Sequence, residues 1–283
     1  MQKRSFLILS VVFLAASACH RPESKDQKPG NQLRTHKEAA DTLRLDQGAQ
    51  TKPLETKVLA PTQMQALLKA QNLSPIWQAD VENGEVAPLY NGFYGADHYR
   101  IEMFFGSVEK DKANPNLYHI TGKSRFKKNI TPFAGELIID SVAAFSDPNL
   151  NPEEIKQLGF KEVYTASGTF QLREDSSFAG SGVFRGKVTI DFGLQEDNQP
   201  ALWYFSPVEG DGTGFLFDGQ WVSYKTGKTK PVIWAKDLFV IADNILESFS
   251  IGERDVEINP KYRHLGWDNF WENDEWYNAP SAL

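Results

Sequence analysis

The chain has 283 residues, is 41% hydrophobic and 24% charged, and carries a formal net charge of -7 with a single cysteine. That length and apolar share allow one sizeable core, while a lone cysteine excludes a disulfide-stapled scaffold. The acidic balance works against a phosphate backbone as partner, so no nucleic acid is expected.

Lys3 and Arg4 precede an apolar stretch from Phe6 to Ala16 that ends in small residues, Ala15-Ala16-Ser17-Ala18. This is the layout of a secretory signal peptide, expected over residues 1–18. The stretch is well short of the roughly 20 apolar residues that a spanning helix needs, and no later segment comes close. Ala16-Ser17-Ala18-Cys19 resembles the lipobox of bacterial lipoproteins, with Ala16 where the consensus prefers Leu. That resemblance implies cleavage before Cys19 and acylation of Cys19, palmitate included. An unmodified Cys19 inside a conventional signal is the alternative, but a secreted domain wanting disulfides would show an even number of thiols. Several acyl chains hold a protein at a membrane almost permanently. The next residue is His20, not the Asp that favours inner-membrane retention in such lipoproteins. The resemblance therefore implies an outer-membrane anchor, with His20-Arg21 pointing to the periplasmic side and the cell surface as the alternative. Loss of Lys3 and Arg4 with the signal takes the net charge from -7 to -9.

Residues 19–60 are rich in Lys, Gln, Glu and Asp and hold no aromatic residue. Such a segment cannot bury enough apolar surface to offset its ordering entropy, and it is expected to be a disordered tether. Within it, Asp41-Thr42-Leu43 resembles a short O-glycosylation acceptor of some bacterial envelope proteins.

A single β-rich domain is expected over residues 61–283. It opens with "PTQMQALLKAQNL", where Met64, Leu67 and Leu68 have helical spacing and Thr62 is available as an N-cap. Short alternating runs follow. In "HYRIEMFF", Tyr99, Ile101 and Met103 fall on one face and Arg100, Glu102 and Phe104 on the other. "LYHITGK", "GELIIDSV", "EVYTASGTFQL", "GSGVFRGKVTIDF", "ALWYFSPV", "GFLFDGQWVSY" and "KPVIWAKDLFVI" succeed it, separated by Gly, Asn, Asp and Pro. This spacing is that of an antiparallel sandwich or barrel.

An internal repeat sharpens the choice. The segment from Tyr118 aligns with that from Tyr164 through a Tyr, a Gly four residues on, and Phe-Ala-Gly after a turn, and "FDGQWVSY" from Phe217 is a partial third copy. Gly122, Gly168, Gly135 and Gly180 are expected at bends or bulges. Repeated hairpins make a meander, and a meander of about eight strands closes because closure removes its edges. The expected fold is mainly β, a meander closing into a barrel, with a short N-terminal helix and an aromatic C-terminal segment. The lipobox, "GFYGADHYRIEM", the Phe-Ala-Gly hairpins and the ending "KYRHLGWDNFW" resemble uncharacterised bacterial envelope lipoproteins with a calycin-like, lipocalin-type barrel. The resemblance covers most of the domain and implies a shape, with no catalytic signature; Asn91-Gly92-Phe93 stands where true lipocalins carry Gly-x-Trp.

The catalytic motifs are missing. Gly122-Lys123-Ser124 lacks the first glycine of a P-loop, since position 117 is Leu, and "EGDGTGF" carries carboxylates that repel phosphate. Ser181 lacks the spacing of a nucleophile elbow. His98 and His119 have no Cys or further His nearby to complete a metal site, so neither a metal nor a cofactor is expected and the chain reads as a non-enzyme.

Two features remain. "KSRFKKN" clusters Lys123, Arg125, Lys127 and Lys128 in a predicted hairpin turn, where they either solvate the turn or meet a carboxylated glycan or a lipid headgroup. The aromatics are the second. Trp203, Trp221, Tyr224 and Trp234 fall on successive predicted strands and are candidate ligand-binding residues, although core is the plainer role. In "GWDNFWENDEWY", Trp267, Phe270 and Trp271 have i, i+3, i+4 spacing, and with Trp276 and Tyr277 they are candidates for docking a partner or for covering the barrel. The leading function is a membrane-tethered barrel binding a small hydrophobic or glycan ligand. The alternative is an accessory subunit docking an envelope protein partner, and a glycan or lipid hydrolase comes third.

Overall fold

A computed structural model describes residues 57–78, 89–144, 152–203, 214–242, 245–248, 257–270, 272 and 274–278. Eight antiparallel strands form the body: β1 Leu89–Tyr94, β2 Tyr99–Lys110, β3 Leu117–Phe126, β4 Asn129–Ala144, β5 Phe160–Glu174, β6 Gly182–Gln195, β7 Phe215–Ser223 and β8 Thr229–Ala235. Each pairs with the strand before it, and β8 returns to β1 in the register Ile233↔Phe93, closing the barrel. Closure leaves the ring without an unpaired edge open to edge-to-edge pairing.

The strands follow the period of two seen in the sequence. On β2, Ile101, Met103 and Phe105 point inward, and a bulge between Phe105 and Ser107 resets the alternation so that Val108 is again buried. Of "ALWYFSPV", Ala201 and Leu202 belong to the short strand Pro200–Leu202 paired with β6, Trp203 follows it, and residues 204–213 lie outside the described residues. "KPVIWAKDLFVI" is strand only as far as Ala235 and then turns into a 3₁₀ segment at Leu238–Ile241.

The interior is filled by rings. Phe105, Phe170, Phe215, Phe217, Trp221 and Trp234 are all buried, and their contacts are mostly edge-to-face, apart from Trp234 lying flat on Phe217 at 5.0 Å between centroids. The strands approach closely enough for this because small residues sit at the bends. Gly186 and Gly219 face each other across β6 and β7, and a Cβ on Gly219 would lie 2.2 Å from the Arg185 carbonyl oxygen. An aromatic two residues earlier accompanies the inward glycine on four strands, in Tyr90-Asn91-Gly92, Phe133-Ala134-Gly135, Phe184-Arg185-Gly186 and Phe217-Asp218-Gly219. This is the structural repeat. The Phe-Ala-Gly match in the sequence is not: Phe133–Gly135 lies within β4, whereas Phe178–Gly180 lies in the β5–β6 turn, where Gly180 has φ +82°.

Helices α1 (Pro61–Ala70) and α2 (Ser74–Trp77) close one end, placing Leu68, Leu73 and Trp77 in the same core as Tyr118. The cap of α1 is not Thr62, which sits inside the first turn; Pro61 occupies the first helical position, and the Gln63 side chain accepts from the Ala60 N–H at 3.1 Å. Lys110 at the end of β2 donates to the carbonyls of Leu68 and Gln71, supplying a positive charge at the end of α1.

Candidate functional site

The described part of the C-terminal segment, residues 257–270, 272 and 274–278, lies as a strap on the outer wall of β1, β2 and β3. Trp267 is fully buried against Phe93, with its Nε1–H donating to the His98 carbonyl at 2.8 Å. Tyr277 stacks flat on Phe104 at 4.5 Å, and Lys123 Nζ donates to the Tyr277 carbonyl at 2.8 Å. Trp267 and Phe270 do not sit on a continuous helix. Gly266 takes φ +94° and breaks the helical turns that start at Pro260, yet Trp267 and Phe270 still come within 6.1 Å of each other. Trp276 and Tyr277 are also buried, Phe270 is partly buried, and Trp271 lies outside the described residues.

Between strap and wall lies a chain of charges. Glu102, 4% exposed, accepts from Arg100 at 2.7 Å and from Arg125 through both of its oxygens at 2.5 and 2.8 Å. Arg100 also donates to Asn91 Oδ1 at 2.7 Å and to the Phe270 carbonyl at 3.2 Å. Arg125 continues to Asp274 at 2.5 Å and lies over the Trp276 ring. Burial lowers the Arg100 pKa from its ordinary value, only partly offset by Glu102. Burial acts in the same direction on Arg125, but its bonds to Glu102 and Asp274 prevail and hold it above its usual value. These groups line a groove of about 420 Å³ together with Tyr99, Lys127, Lys128, His264, Leu265, Gly266 and Asn269. That volume is within the range of small-molecule sites, roughly 300–1,000 Å³. Arg100, Arg125, Lys127 and Lys128 outnumber Glu102 and Asp274 there, an excess of two positive charges on an acidic chain. Lys127 has φ +59° at the β3–β4 turn, and its ammonium lies 4.3 Å from the Tyr99 ring centroid. Among the described residues neither Lys127 nor Lys128 is in an ion pair, so the surplus charge is uncommitted.

The strand aromatics go elsewhere. Trp234 is in the filled interior. Trp221 is at the barrel end opposite α1, with its Nε1–H donating to Glu174 at 2.9 Å. Trp203 is buried outside the ring against Phe160, and Tyr224 is exposed on the rim with its hydroxyl donating to the Glu174 carbonyl. Near the interior aromatics, the mouth beside Glu174 holds a cavity of about 30 Å³, room for about one water. Burial raises the Glu174 pKa, with the bonds from Ser124, Trp221 and Gly182 pulling the other way. His98 and His119 are well apart in role: His98 packs on Phe93 and Tyr262 beside the strap, whereas His119 bonds Asp111 at the other end of the barrel. Among the described residues no group of three or more His, Cys, Asp or Glu could hold a metal, and no helix is long and apolar enough to cross a membrane. Cys19 and Asp41–Leu43 lie outside the described residues.

Of the groove, the sequence exposed the Lys127–Lys128 cluster but not its partners. Arg100, Glu102 and Asp274 come from segments up to 174 residues apart, and the signal for Arg100 and Glu102 was two charges on the outward face of a strand that also carries Phe104. No family model, curated protein or solved structure matches this chain.

Proposed function

We propose that the chain is a non-catalytic lipoprotein of the bacterial outer membrane, anchored through Cys19 and facing the periplasm, that binds a carboxylated glycan fragment in the groove between barrel wall and strap. The observation that carries this reading is the uncommitted cationic surplus of Lys127 and Lys128 at a groove of about 420 Å³ on an otherwise acidic chain. The interior is packed with aromatic side chains, which favours an outer site over a hydrophobic ligand within the barrel. Apolar Leu265 beside Arg, Lys and Asn side chains suits a sugar, whose ring is apolar on its faces and polar at its rim. The strap aromatics are spent on the wall, Trp267 and Trp276 being 0% and 4% exposed, so they offer little to a protein partner.

Calorimetric titration of the mature chain with D-glucuronate and with D-glucose tests the reading. Glucuronate binds, glucose does not, and the affinity falls as salt is raised. In the Lys127→Glu, Lys128→Glu double variant the affinity falls about tenfold or more, the loss expected for charge-assisted hydrogen bonds of about 1.5–3 kcal/mol. Equal binding of the two sugars, or a double variant that binds as tightly as the wild type, refutes it.

A further inference from the structure

A second cavity of about 380 Å³ adjoins the first. It is lined by Ala96, Asp97, His98, Tyr99, Lys261, Tyr262, His264 and Leu265, and it shares Tyr99, His264 and Leu265 with the groove. The shared residues make a saddle: a ligand longer than one sugar that fills the first space continues over Tyr99 and His264 into the second. The two spaces differ in charge. The groove has a surplus of two positive charges, whereas in the second cavity the carboxylate of Asp97 balances the ammonium of Lys261, with His98, His264 and the phenols of Tyr99 and Tyr262 as the remaining polar side chains. Asp97 is exposed in the β1–β2 turn, which is closed by the His98 N–H donating to the Gly95 carbonyl at 3.1 Å, and it forms no ion pair among the described residues. A free carboxylate accepts from hydroxyl and amide donors and repels a second carboxylate.

Building on the carboxylated-glycan reading of the groove, we infer that the ligand is a chain in which an acidic sugar is followed by a neutral one, the acidic unit held by Lys127 and Lys128 and the neutral unit by Asp97, His98 and Lys261. A uniformly acidic chain places its second carboxylate beside Asp97 and is selected against. Negative discrimination of this kind comes from an unfavourable contact with the wrong ligand as much as from a favourable one with the right ligand.

Three probes test this on the mature chain: D-glucuronate, the unsulfated chondroitin tetrasaccharide, in which glucuronate alternates with a neutral N-acetylated sugar, and tetragalacturonate, in which every unit is acidic. The alternating tetrasaccharide binds about tenfold tighter than glucuronate, the gain of two further hydrogen bonds, and tighter than tetragalacturonate. Asp97→Asn, a change in an exposed turn, narrows the ratio between the two tetrasaccharides. The inference is overturned, with the groove reading intact, if the tetrasaccharide binds no tighter than glucuronate, if tetragalacturonate matches it, or if Asp97→Asn leaves the ratio where it was. If none of the three probes binds, both the groove reading and this inference fall.

Discussion

Glu174 at the barrel mouth separates the cost of a buried charge from the value of its hydrogen bonds. Its Oε1 accepts from Ser124 Oγ at 2.6 Å, and its Oε2 accepts from the Gly182 N–H at 2.8 Å and the Trp221 Nε1–H at 2.9 Å. In Glu174→Gln the amide oxygen can take the place of Oε2 and keep both N–H donors. Its NH₂ then faces Ser124, whose hydroxyl can accept it while donating to the Thr131 carbonyl 3.4 Å away. Burial holds the Glu174 pKa above its ordinary 4.5. A carboxyl with a raised folded-state pKa contributes stability that is fully present below the unfolded value and is lost as pH rises through the folded one. The Gln variant has no charge to bury, so it gains on the wild type between pH 4 and pH 7. Glu174→Ala instead leaves the Gly182 and Trp221 donors buried without acceptors. At about 1–3 kcal/mol for each of the two orphaned groups, the loss is about 2–6 kcal/mol, which for a domain of this size lowers Tm by roughly 4 °C at the least. Circular-dichroism melts of the three proteins at pH 4 and pH 7 decide it. A Gln variant that loses stability relative to the wild type on going from pH 4 to pH 7 refutes the reasoning.

Three further outcomes follow from other parts of the molecule. Gly219→Ala sets a methyl 2.2 Å from the Arg185 carbonyl oxygen and 2.8 Å from Gly186 Cα, so the two strands must separate; urea titration should show a loss of at least about 2 kcal/mol, in the range of overpacked cores. Arg125→Met removes the link from Glu102 to Asp274 and the cation over Trp276, and hydrogen exchange should quicken over residues 257–278 while β5 to β7 keep their protection. Cys19→Ser abolishes acylation, and fractionation of the source cells should move the protein from the membrane pellet to the soluble fraction; a protein that stays in the pellet refutes the anchor.

The fold was legible because its signals are local. Alternation marked the strands one by one, and Gly, Asn, Asp and Pro marked the turns. The misread repeat shows the limit of such reading: Phe178-Ala179-Gly180 and Phe133-Ala134-Gly135 are identical tripeptides, but only the second lies inside a strand and bends it toward the core. The tripeptide alone does not say whether its glycine serves a positive φ or a close approach. The strap covers the barrel wall as its aromatics led one to expect, but not as a continuous helix, for a related reason. The spacing of Trp267, Phe270 and Trp271 is helical, but Gly266 breaks the turn, and Trp267 is buried on Phe93 and Tyr277 on Phe104, residues far away in the chain. Charge spacing revealed Lys127 and Lys128, whereas Arg100 and Glu102 read as ordinary solvated positions on an outward face until the strap covers them.

That cover explains why the groove and the strap are one device. Arg100 is 8% exposed, and besides Asn91 and Glu102 its donors meet carbonyls of the strap, at Phe270 and, more distantly, Gly266. A buried ion pair returns little net stability, because desolvation consumes most of the Coulombic gain. The holding energy of the strap therefore comes from Trp267, Trp276 and Tyr277, each worth about 1.5–3 kcal/mol when fully buried. The charges do a different job. A guanidinium with fixed donors accepts few strap positions, so the aromatics supply attachment and the Arg100–Glu102–Arg125 chain supplies register. With Glu102 and Asp274 balancing the buried Arg100 and the partly buried Arg125, the site keeps a cationic surplus only through Lys127 and Lys128 at its rim, where water still reaches them. A ligand carboxylate can then be bound without burying a new charge deeply, which favours reversible capture over permanent occupancy.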